Sequence, residues 1–456
     1  MRREPSPGGT PFLARALEWR IRQIESNPHA RMGFLRLLRR GGEQSRLEIP
    51  LSFREGIQNL RLRRTVRWVA SRSPFYRAKF AEMGIEANRV RGVCDVASLP
   101  LTTSDDIMEP DRFLCAAPDE IARIYTTSGT SREPKRIYRT ARDFERLVNV
   151  AAFLLRSRRW EERLVCMIAH AQGLFGLAEP AEVVVQRAGG LALPIGQPMP
   201  QEALRQLSRF RPNWLMTSPS YMAAMTTQAE REGLRMLLKS IVLDGEILTP
   251  EQARRFAEYW GADVVNGYGL TEVGVVGFGR HGCTALHLNW LNVHAEIVDP
   301  DSGRPADEGE LVVTSLNQEG MPLLRYRTGD RVRKAGCRCG IASPAIHVFG
   351  RLGDGIVVAA TNVHGPLIAE EVAGLEQSTG SLELLVDHVE GVDRMTLRVG
   401  TKAGTHLDPE AVERKLFSLY PALADDARAA AFQLSIEPVE NMRLSPKPLR
   451  VRDLRR

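Results

Sequence analysis

A short stretch at residues 125–135, with the sequence YTTSGTSREPK, combines small hydroxyl side chains with one glycine and one lysine. Gly129 permits a tight bend, and the backbone N–H groups of such a bend bind anionic oxygens. Lys135 adds a positive charge that suits a phosphate group. The stretch lacks the spacing of a Walker A loop, so it predicts a different kind of phosphate site. The alternative is a polar surface loop, because clusters of Ser, Thr and Gly usually form loops.

Three further clusters of polar residues and glycines follow along the chain. They are residues 266–272 (NGYGLTE), 325–330 (RYRTGD) and 349–354 (FGRLGD). Each cluster reads as a turn, and together they offer acids, one tyrosine pair and several arginines. Their relation to one another depends on the elements that carry them.

Short apolar runs precede several of these polar clusters. The runs are read as strands at 164–168, 191–195, 214–218, 240–246 and 262–269, with helices of about a dozen residues between them. A helix is also predicted over 55–71, others begin at Pro74 and near Gly173, and the loop 99–106 leads into a further helix. Alternating strands and helices indicate a mostly parallel sheet, in which ligands bind beyond the carboxyl ends of the strands. Polar residues at 126–131, 217–219, 244–246 and 266–272 all follow such ends.

The predicted pattern of strands and helices changes in the second half of the chain. Strands at 294–299, 309–314 and 330–334 predict a small antiparallel unit over about 283–350. After Arg351, strands at 355–358, 382–386, 394–399 and 433–436 alternate with helices at 365–375 and 408–418. The expected fold class is α/β: a large N-terminal domain, 51–350, of βαβ subdomains plus a small β-barrel-like unit, then a small α+β domain, 351–456.

Composition and charge limit the class of protein. The 456 residues are 43% hydrophobic and 26% charged, with a net charge of +7. Residues 1–50 read as a basic, partly disordered leader; a nucleic-acid-binding arm is the alternative, but no RNA-binding motif accompanies it. There is no apolar run of 18 residues and no signal peptide, so we expect no membrane contact. Six scattered cysteines favour a reducing compartment, the cytoplasm. A homodimer is left open.

The four polar clusters, in this order and approximate spacing, resemble the adenylate-forming superfamily of acyl-CoA synthetases, adenylation domains and luciferases. The chain is most similar to the phenylacetate-CoA ligase branch, and the similarity runs from about residue 65 to the end. The segments that carry this second likeness are 72–77 (RSPFYR), 99–103 (LPLTT), 173–176 (GLFG) and 217–221 (TSPSY). The resemblance implies a carboxylic acid activated with ATP and Mg²⁺, coenzyme A as acyl acceptor, and a mobile C-terminal lid.

The resemblance also implies roles for individual residues. The ATP site comprises Thr127, Ser128, Gly129, Thr130 and Lys135 around the β- and γ-phosphates, Gly245, Glu246, Asn266, Tyr268 and Gly269 around the adenine, and Asp330 and Arg351 at the ribose. Thr271 is expected to bond the α-phosphate, and Glu272 to hold Mg²⁺, a cation that prefers carboxylate ligands. The alternatives are a helix cap for Glu272, a turn residue for Asp330 and a surface cation for Arg351.

The C-terminal part carries one further catalytic candidate and one hinge. Lys447 stands in a segment, 443–451, that resembles the family's terminal loop, where a lysine bridges the carboxylate and the α-phosphate. The glycine usually found before it is Pro446 here, and the alternative is a lysine in a basic tail. Gly353 occupies the first of the two usually acidic hinge positions. Ala360 replaces a glycine beside the pantetheine path, so an amine, thiol or other nitrogen nucleophile stays open as the acceptor.

The acid itself is not identified by any motif. By resemblance an aryl or arylacetic acid is expected, with His170, Phe175 and Tyr221 in the pocket wall beside Ala171 and Gln172. The alternative for His170 is a core histidine bonded to backbone. A rival of another class is an inactive relative that binds nucleotides or nucleic acid, but Glu272, Asp330 and Lys447 are all present.

Three cysteines and one histidine suggest a metal site. Cys283 and His287 precede most strands of the antiparallel unit, and Cys337 and Cys339 follow them. Three thiols and one imidazole form a typical tetrahedral set for structural Zn²⁺. This arrangement resembles the phenylacetate-CoA ligase branch, whose members carry a Cys/His pair and a later C-x-C at these places. The alternative is three buried thiols with a lone histidine, and His281 is a substitute ligand.

Overall fold

The fold is described from a computed structural model of the chain. It covers residues 51–127, 134–156, 162–174, 176–280, 282–337, 339, 341, 343–352, 355–359, 361–389, 391–440, 442 and 449–455. Several predicted positions lie outside these described residues: the leader 1–50, His281, Pro446, and the site residues Ser128, Gly129, Thr130, Phe175, Gly353 and Lys447.

Among the described residues, helices and strands alternate up to residue 260, and strands alone follow from 263 to 364. Helices α1 to α10 are, in order, Leu51–Arg72, Pro74–Met83, Ala141–Arg156, Ala178–Arg187, Pro200–Phe210, Pro219–Arg231, Pro250–Trp260, Gly365–Ala373, Pro409–Leu419 and Pro421–Arg428. Strands β1 to β19 are, in order, Ile121–Thr126, Arg136–Thr140, Val165–Ala169, Leu191–Pro194, Trp214–Thr217, Ser240–Leu243, Asp263–Leu270, Gly274–Phe278, Leu286–Leu288, Val293–Val298, Glu308–Ser315, Tyr326–Ala335, Ala345–Arg351, Gly355–Val358, Thr361–His364, Ser378–Val389, Val392–Thr401, Phe432–Glu440 and Leu449–Asp453. The predicted α/β architecture is confirmed.

One large sheet organises the N-terminal part. Its eleven described strands lie in the order β10-β11-β12-β13-β9-β8-β7-β6-β5-β3-β4. Strands β4, β3, β5, β6 and β7 run parallel. On the other side of β7, each neighbouring pair in the order β7-β8-β9-β13-β12-β11-β10 is antiparallel. The predicted antiparallel unit is therefore continuous with the parallel sheet, because β7 pairs with β6 on one side and with β8 on the other.

The parallel half is buried by helices with one apolar face. Strand β3 reads VCMIA and its last four side chains are buried, as expected where helices cover both faces. Helix α7 begins at a capping box in which Thr249 and Gln252 bond each other's backbone. It ends at Gly261, which has φ 60°, a left-handed conformation that glycine adopts without strain.

Helix α1 is rich in arginine, and the structure shows how it packs against the rest of the chain. Ile57, Leu62, Val66 and Val69 of this helix are buried. Arg61 is also buried, and its Nη1 donates to the carbonyl oxygen of Leu291. This arginine therefore attaches the helix to the turn before β10 and is not part of a solvated basic face.

Some predicted elements differ from those observed. The segment 99–106 leads into 3₁₀ turns at Asp106–Met108 and Pro110–Phe113, and the helix expected near Gly173 begins at Ala178. The three polar clusters read as turns lie partly in strands: residues 266–270 in β7, 326–330 in β12 and 349–351 in β13. The β11–β12 register shifts between Glu310 and Val312, a bulge beside the 325–330 cluster. Strand pairing therefore positions Tyr268, Asp330 and Arg351, while Thr271 and Glu272 lie in the turn before β8.

The C-terminal part has its own four-stranded sheet in the order β18-β17-β16-β19. Its core includes Leu384, Met395, Leu397 and Leu416. It also shares a core with the parallel half, because Val392, Ala429 and Ala431 pack among the buried residues of α6 and α7. Within the described part of the chain, no helix has the length and apolar character needed to cross a membrane.

Candidate active site

A cleft of about 1670 Å³ opens along the carboxyl ends of the parallel strands. The antiparallel strands and the C-terminal part form its other walls. Most described residues of the expected ATP site line it: Thr127, Lys135, Gly245, Glu246, Asn266, Tyr268, Gly269, Thr271, Glu272, Asp330 and Arg351. The structure thus brings together parts of all four polar clusters.

A buried triad of charged and phenolic groups lies at the wall of the cleft, which Lys135 and Glu272 line. Lys135 Nζ lies 3.1 Å from Glu272 Oε1 and 3.1 Å from the Tyr326 hydroxyl, which donates to the same carboxylate oxygen at 2.8 Å. Burial raises the pKa of Glu272, but the Lys135 charge and the Tyr326 hydrogen bond outweigh burial and hold it below its usual range. Glu272 is therefore an ionised carboxylate.

This environment fits a divalent cation. An ionised carboxylate with further lone pairs is a suitable ligand for Mg²⁺, and Lys135 beside it suits a polyphosphate. Glu272 precedes β8 and not a helix, so the helix-cap alternative is wrong. Tyr326 was not among the expected site residues, although it stands inside the 325–330 cluster.

A second charged pair lies on β12 and β13, which are hydrogen-bonded neighbours. Arg351 Nε lies 3.2 Å from Asp330 Oδ1, and the Tyr268 hydroxyl donates to Asp330 Oδ2. Burial raises the pKa of Asp330, and the Arg351 charge opposes this rise. Asp330 is a strand residue and Arg351 is its buried partner, so the turn and surface-cation alternatives are both wrong.

The stretch expected to bind phosphate is described only at its two ends. The Thr127 N–H donates to the Lys135 carbonyl oxygen at 3.2 Å, which brings these two ends together. The Thr127 hydroxyl oxygen is buried and has no hydrogen-bond partner among the described residues. A buried hydroxyl without a partner is costly, and the oxygen of a phosphate would satisfy it. Thr271 is held by its carbonyl oxygen, which accepts a bond of 2.9 Å from Arg139.

The expected acid pocket is only partly supported. His170 lines the cleft, and its Nε2 lies 3.2 Å from Oδ1 of Asp244, so the partner of this buried histidine is a carboxylate and not backbone. Tyr221 is fully buried in α6, and its hydroxyl donates to the Pro198 carbonyl oxygen. The structure places Tyr221 in the core and not in the cleft wall. Asp244 belongs to the polar residues 244–246 noted after a strand, but its contact with His170 was not foreseen because β5 separates the two strands.

Four possible metal ligands converge at the start of β9. The ligand atoms of Cys283, His287, Cys337 and Cys339 all lie within 4.8 Å of one another. Cys339 Sγ lies 3.1 Å from His287 Nε2, while His287 Nδ1 lies 3.3 Å from the Ser343 carbonyl oxygen. A backbone bond at the second ring nitrogen is what orients a metal-binding histidine. The four side chains are therefore neighbours, and this donor set fits Zn²⁺.

Carboxylates from both parts of the chain, Glu246 and Asp426, line the same cleft. Glu246 accepts hydrogen bonds from the Ser220 N–H at 2.9 Å and its hydroxyl at 2.6 Å, at the start of α6. Asp426 of α10 is buried nearby. Burial, then the charges of Glu246, Asp425 and Asp393, raises the pKa of Asp426 to about 8. Arg455 neutralises Asp393, with an Nη1 to Oδ2 distance of 2.7 Å.

This contact predicts a pH-dependent closure. Because the pKa of Asp426 is raised above that of an unfolded aspartate, its contribution is full at low pH and is lost as pH rises through about 8. Between pH 6 and 9 we expect the closed arrangement to weaken by about 2 kcal/mol, and Asp426→Asn to remove most of that change. Small-angle X-ray scattering at both pH values measures the opening. An equal response in the variant would contradict the assignment.

Comparison with known proteins agrees with this geometry. Residues 73–318 match the sequence model of a family described as AMP-binding enzyme. The chain is similar to a phenylacetate-coenzyme A ligase of Thermus thermophilus, with 28% identity over 374 residues, 77% of this chain and 82% of that protein. Its fold is similar to 2-hydroxyisobutyryl-CoA ligase in the thioesterification state with its acyl-adenylate and coenzyme A, at a TM-score of 0.77 and 19% identity, covering 89% and 91% of the two chains.

Two further comparisons concern the same fold. The postadenylation state of that ligase gives a TM-score of 0.63 at 19% identity, covering 88% of this chain and 90% of that chain. An amide bond synthetase of Marinactinospora thermotolerans gives 0.55 at 20% identity, covering 72% and 67%. The family match spans more than half of the sequence and includes β1 to β11, which carry the Lys135 and Glu272 pair. This protein belongs to the AMP-binding enzyme family.

Proposed function

We propose that this protein is an AMP-forming ligase that joins a carboxylic acid to coenzyme A. In the first step a carboxylate oxygen attacks the α-phosphorus of ATP, pyrophosphate leaves and an acyl-adenylate forms. In the second step the coenzyme A thiol attacks the acyl carbon, and AMP leaves. The observation that supports this best is the meeting of the Lys135–Glu272 and Asp330–Arg351 pairs in one cleft.

Each described residue has a task in the first step. Lys135 and the 127–130 bend bind the β- and γ-phosphates, and Thr271 bonds the α-phosphate. Tyr268 packs on the adenine beside Gly245, Glu246, Asn266 and Gly269, while Asp330 accepts the ribose hydroxyls. Glu272 would hold Mg²⁺, which when bound offsets phosphate charge. Such catalysis rests mainly on positioning and charge neutralisation.

The second step is supported by how the two parts of the chain lie together. At equal identity and similar coverage, the thioesterification state of the related ligase matches better than its postadenylation state. We infer that residues 351–456 form a lid that rotates about Gly353 between the steps. The alternative is transfer of the acyl group to an amine and not to the coenzyme A thiol. The amide bond synthetase, which would represent this alternative, has the lower TM-score, 0.55.

One experiment separates these possibilities. The protein is incubated with ATP, Mg²⁺ and a panel of aryl and arylacetic acids, and acid-dependent ATP–pyrophosphate exchange is followed. Coenzyme A and hydroxylamine are then offered as acceptors. We expect exchange and a thioester. Exchange with hydroxamate but no thioester would refute the coenzyme A step, and absence of exchange with any acid would refute the ligase assignment.

Lys447 is proposed as the residue that bridges the carboxylate and the α-phosphate. We expect Lys447→Ala to lower exchange by about 30-fold, because one charged donor to the reacting groups is lost, with ATP affinity unchanged. Lys79→Ala, at an exposed lysine of α2, is the matched control. Exchange at the wild-type rate in Lys447→Ala would show that this lysine has another role.

We also propose that Cys283, His287, Cys337 and Cys339 bind one structural Zn²⁺. The four ligands leave no open position, so no catalytic role follows. The free cysteines suit a reducing compartment, and the cytoplasm remains our proposal for location.

A further inference from the structure

The His170–Asp244 pair lies in the cleft but has no task in nucleotide binding. His170 follows β3 and Asp244 follows β6, with β5 between these strands. Asp244 directly precedes Gly245 and Glu246, which are proposed to lie at the adenine, while His170 was expected in the wall of the acid pocket. The pair therefore lies where the acid pocket would adjoin the nucleotide site.

The pair fixes one carboxylate oxygen and leaves the other available. Nε2 of His170 and Oδ1 of Asp244 are both buried, 3.2 Å apart, and neither has an aligned hydrogen bond with a described residue. The Asp244 side chain as a whole is 21% exposed, so part of it other than Oδ1 reaches the cleft. Burial raises the pKa of Asp244, and the His170 charge opposes this rise.

Part of the cleft wall near this carboxylate is apolar. Met216 of β5 lies between the strands that precede His170 and Asp244 and lines the cleft, as does Ala171 next to His170. A Cβ on Gly267 would lie 3.2 Å from the Cβ of Asp244. A hydrocarbon ring placed here would cover the carboxylate without a hydrogen bond. An unsatisfied buried acceptor costs roughly 1–3 kcal/mol, and a buried charge costs more.

We propose that Asp244, held by His170, selects acids that carry a hydrogen-bond donor, an O–H or N–H group, away from the carboxylate that is activated. The donor bonds the free oxygen of Asp244, and His170 keeps that oxygen turned toward the cleft. Sites built to bond such a group discriminate strongly against substrates that lack it, because their own polar group is then left unpaired. This proposal rests on the proposed ligase function.

The test uses matched sets of benzoic and arylacetic acids that carry a hydroxyl, an amino, a methyl or no ring substituent. Binding of each acid is measured by calorimetry, and kcat/KM by ATP–pyrophosphate exchange. We expect kcat/KM for acids with a hydroxyl or amino substituent to exceed kcat/KM for the methyl-substituted and unsubstituted acids by about 100-fold. Comparison of the hydroxyl-substituted acids with the amino-substituted acids shows which of the two donor groups the site prefers.

Two variants and one control complete the design. Asp244→Leu is expected to reduce the donor preference to below about threefold, and the nearly isosteric Asp244→Asn to reduce it to about tenfold, since its amide oxygen still accepts. Met216→Leu changes the apolar wall and is expected to keep the preference. Melting temperatures report folding of each variant.

The outcomes separate this inference from the function on which it rests. Equal binding of donor and methyl acids, or an unchanged preference in both Asp244 variants, would overturn the role of Asp244 while leaving the ligase assignment intact. Donor acids that bind selectively but support no exchange would overturn the ligase assignment alone.

Discussion

Glu272→Gln is expected to lower acid-dependent ATP–pyrophosphate exchange by about 1000-fold, the largest effect of any single change in the cleft. The substitution keeps the size of the side chain and its bond from the Tyr326 hydroxyl, but removes the negative charge beside Lys135. A neutral amide is a weak ligand for Mg²⁺, so the charge on the phosphates is no longer offset where pyrophosphate leaves. Exchange is measured at several Mg²⁺ concentrations.

The matched control is Glu296→Gln. Like Glu272, Glu296 is a mostly buried carboxylate with a cationic partner. Its Oε2 lies 3.1 Å from Arg325 Nε, but Glu296 does not line the cleft. We expect this control to lose stability and to retain exchange within about threefold at 25 °C. If Glu272→Gln also stayed within threefold of the wild type, the proposed metal role of Glu272 would be wrong.

Removal of zinc is expected to have the largest effect on stability. We expect one zinc per chain, and we expect Cys339→Ser or strong chelation to remove it and to destabilise the fold by roughly 5 kcal/mol, because metal binding is coupled to folding. For a domain of this size that corresponds to a fall in melting temperature of about 10 °C. The metal is measured by mass spectrometry and the melting temperature by calorimetry.

The chain offers a matched control for this prediction too. Cys94 is an exposed free cysteine outside the cluster, and Cys94→Ser is expected to keep both zinc and melting temperature. The assignment fails if the purified protein holds no metal, or if metal-free protein melts at the same temperature as the untreated protein. In the second case the four side chains would be close neighbours without a structural ion.

The sequence alone was sufficient for the fold class, because the strands and helices of the parallel half have clear apolar periods. It also identified the four polar clusters and the three cysteines and one histidine that converge in the structure, since spacing and order carry that information. Glu272, Asp330 and Lys135 were found this way, and the structure brings them to one cleft. The roles assigned to Ser128, Gly129, Thr130, Phe175, Gly353 and Lys447 stay predictions.

Only the tertiary structure decided how these residues act on one another. Tyr326 bonds both Lys135 and Glu272 because the bulged strand β12 crosses the cleft, and a linear motif does not show that contact. His170 and Asp244 meet although they follow different strands. Asp426 comes near Glu246 because Val392, Ala429 and Ala431 of the C-terminal part pack among the buried residues of α6 and α7. Residue types and spacing determine what chemistry a segment can do. Strand order and domain packing determine which charges are buried together, because burial and pairing depend on neighbours that are distant in the chain.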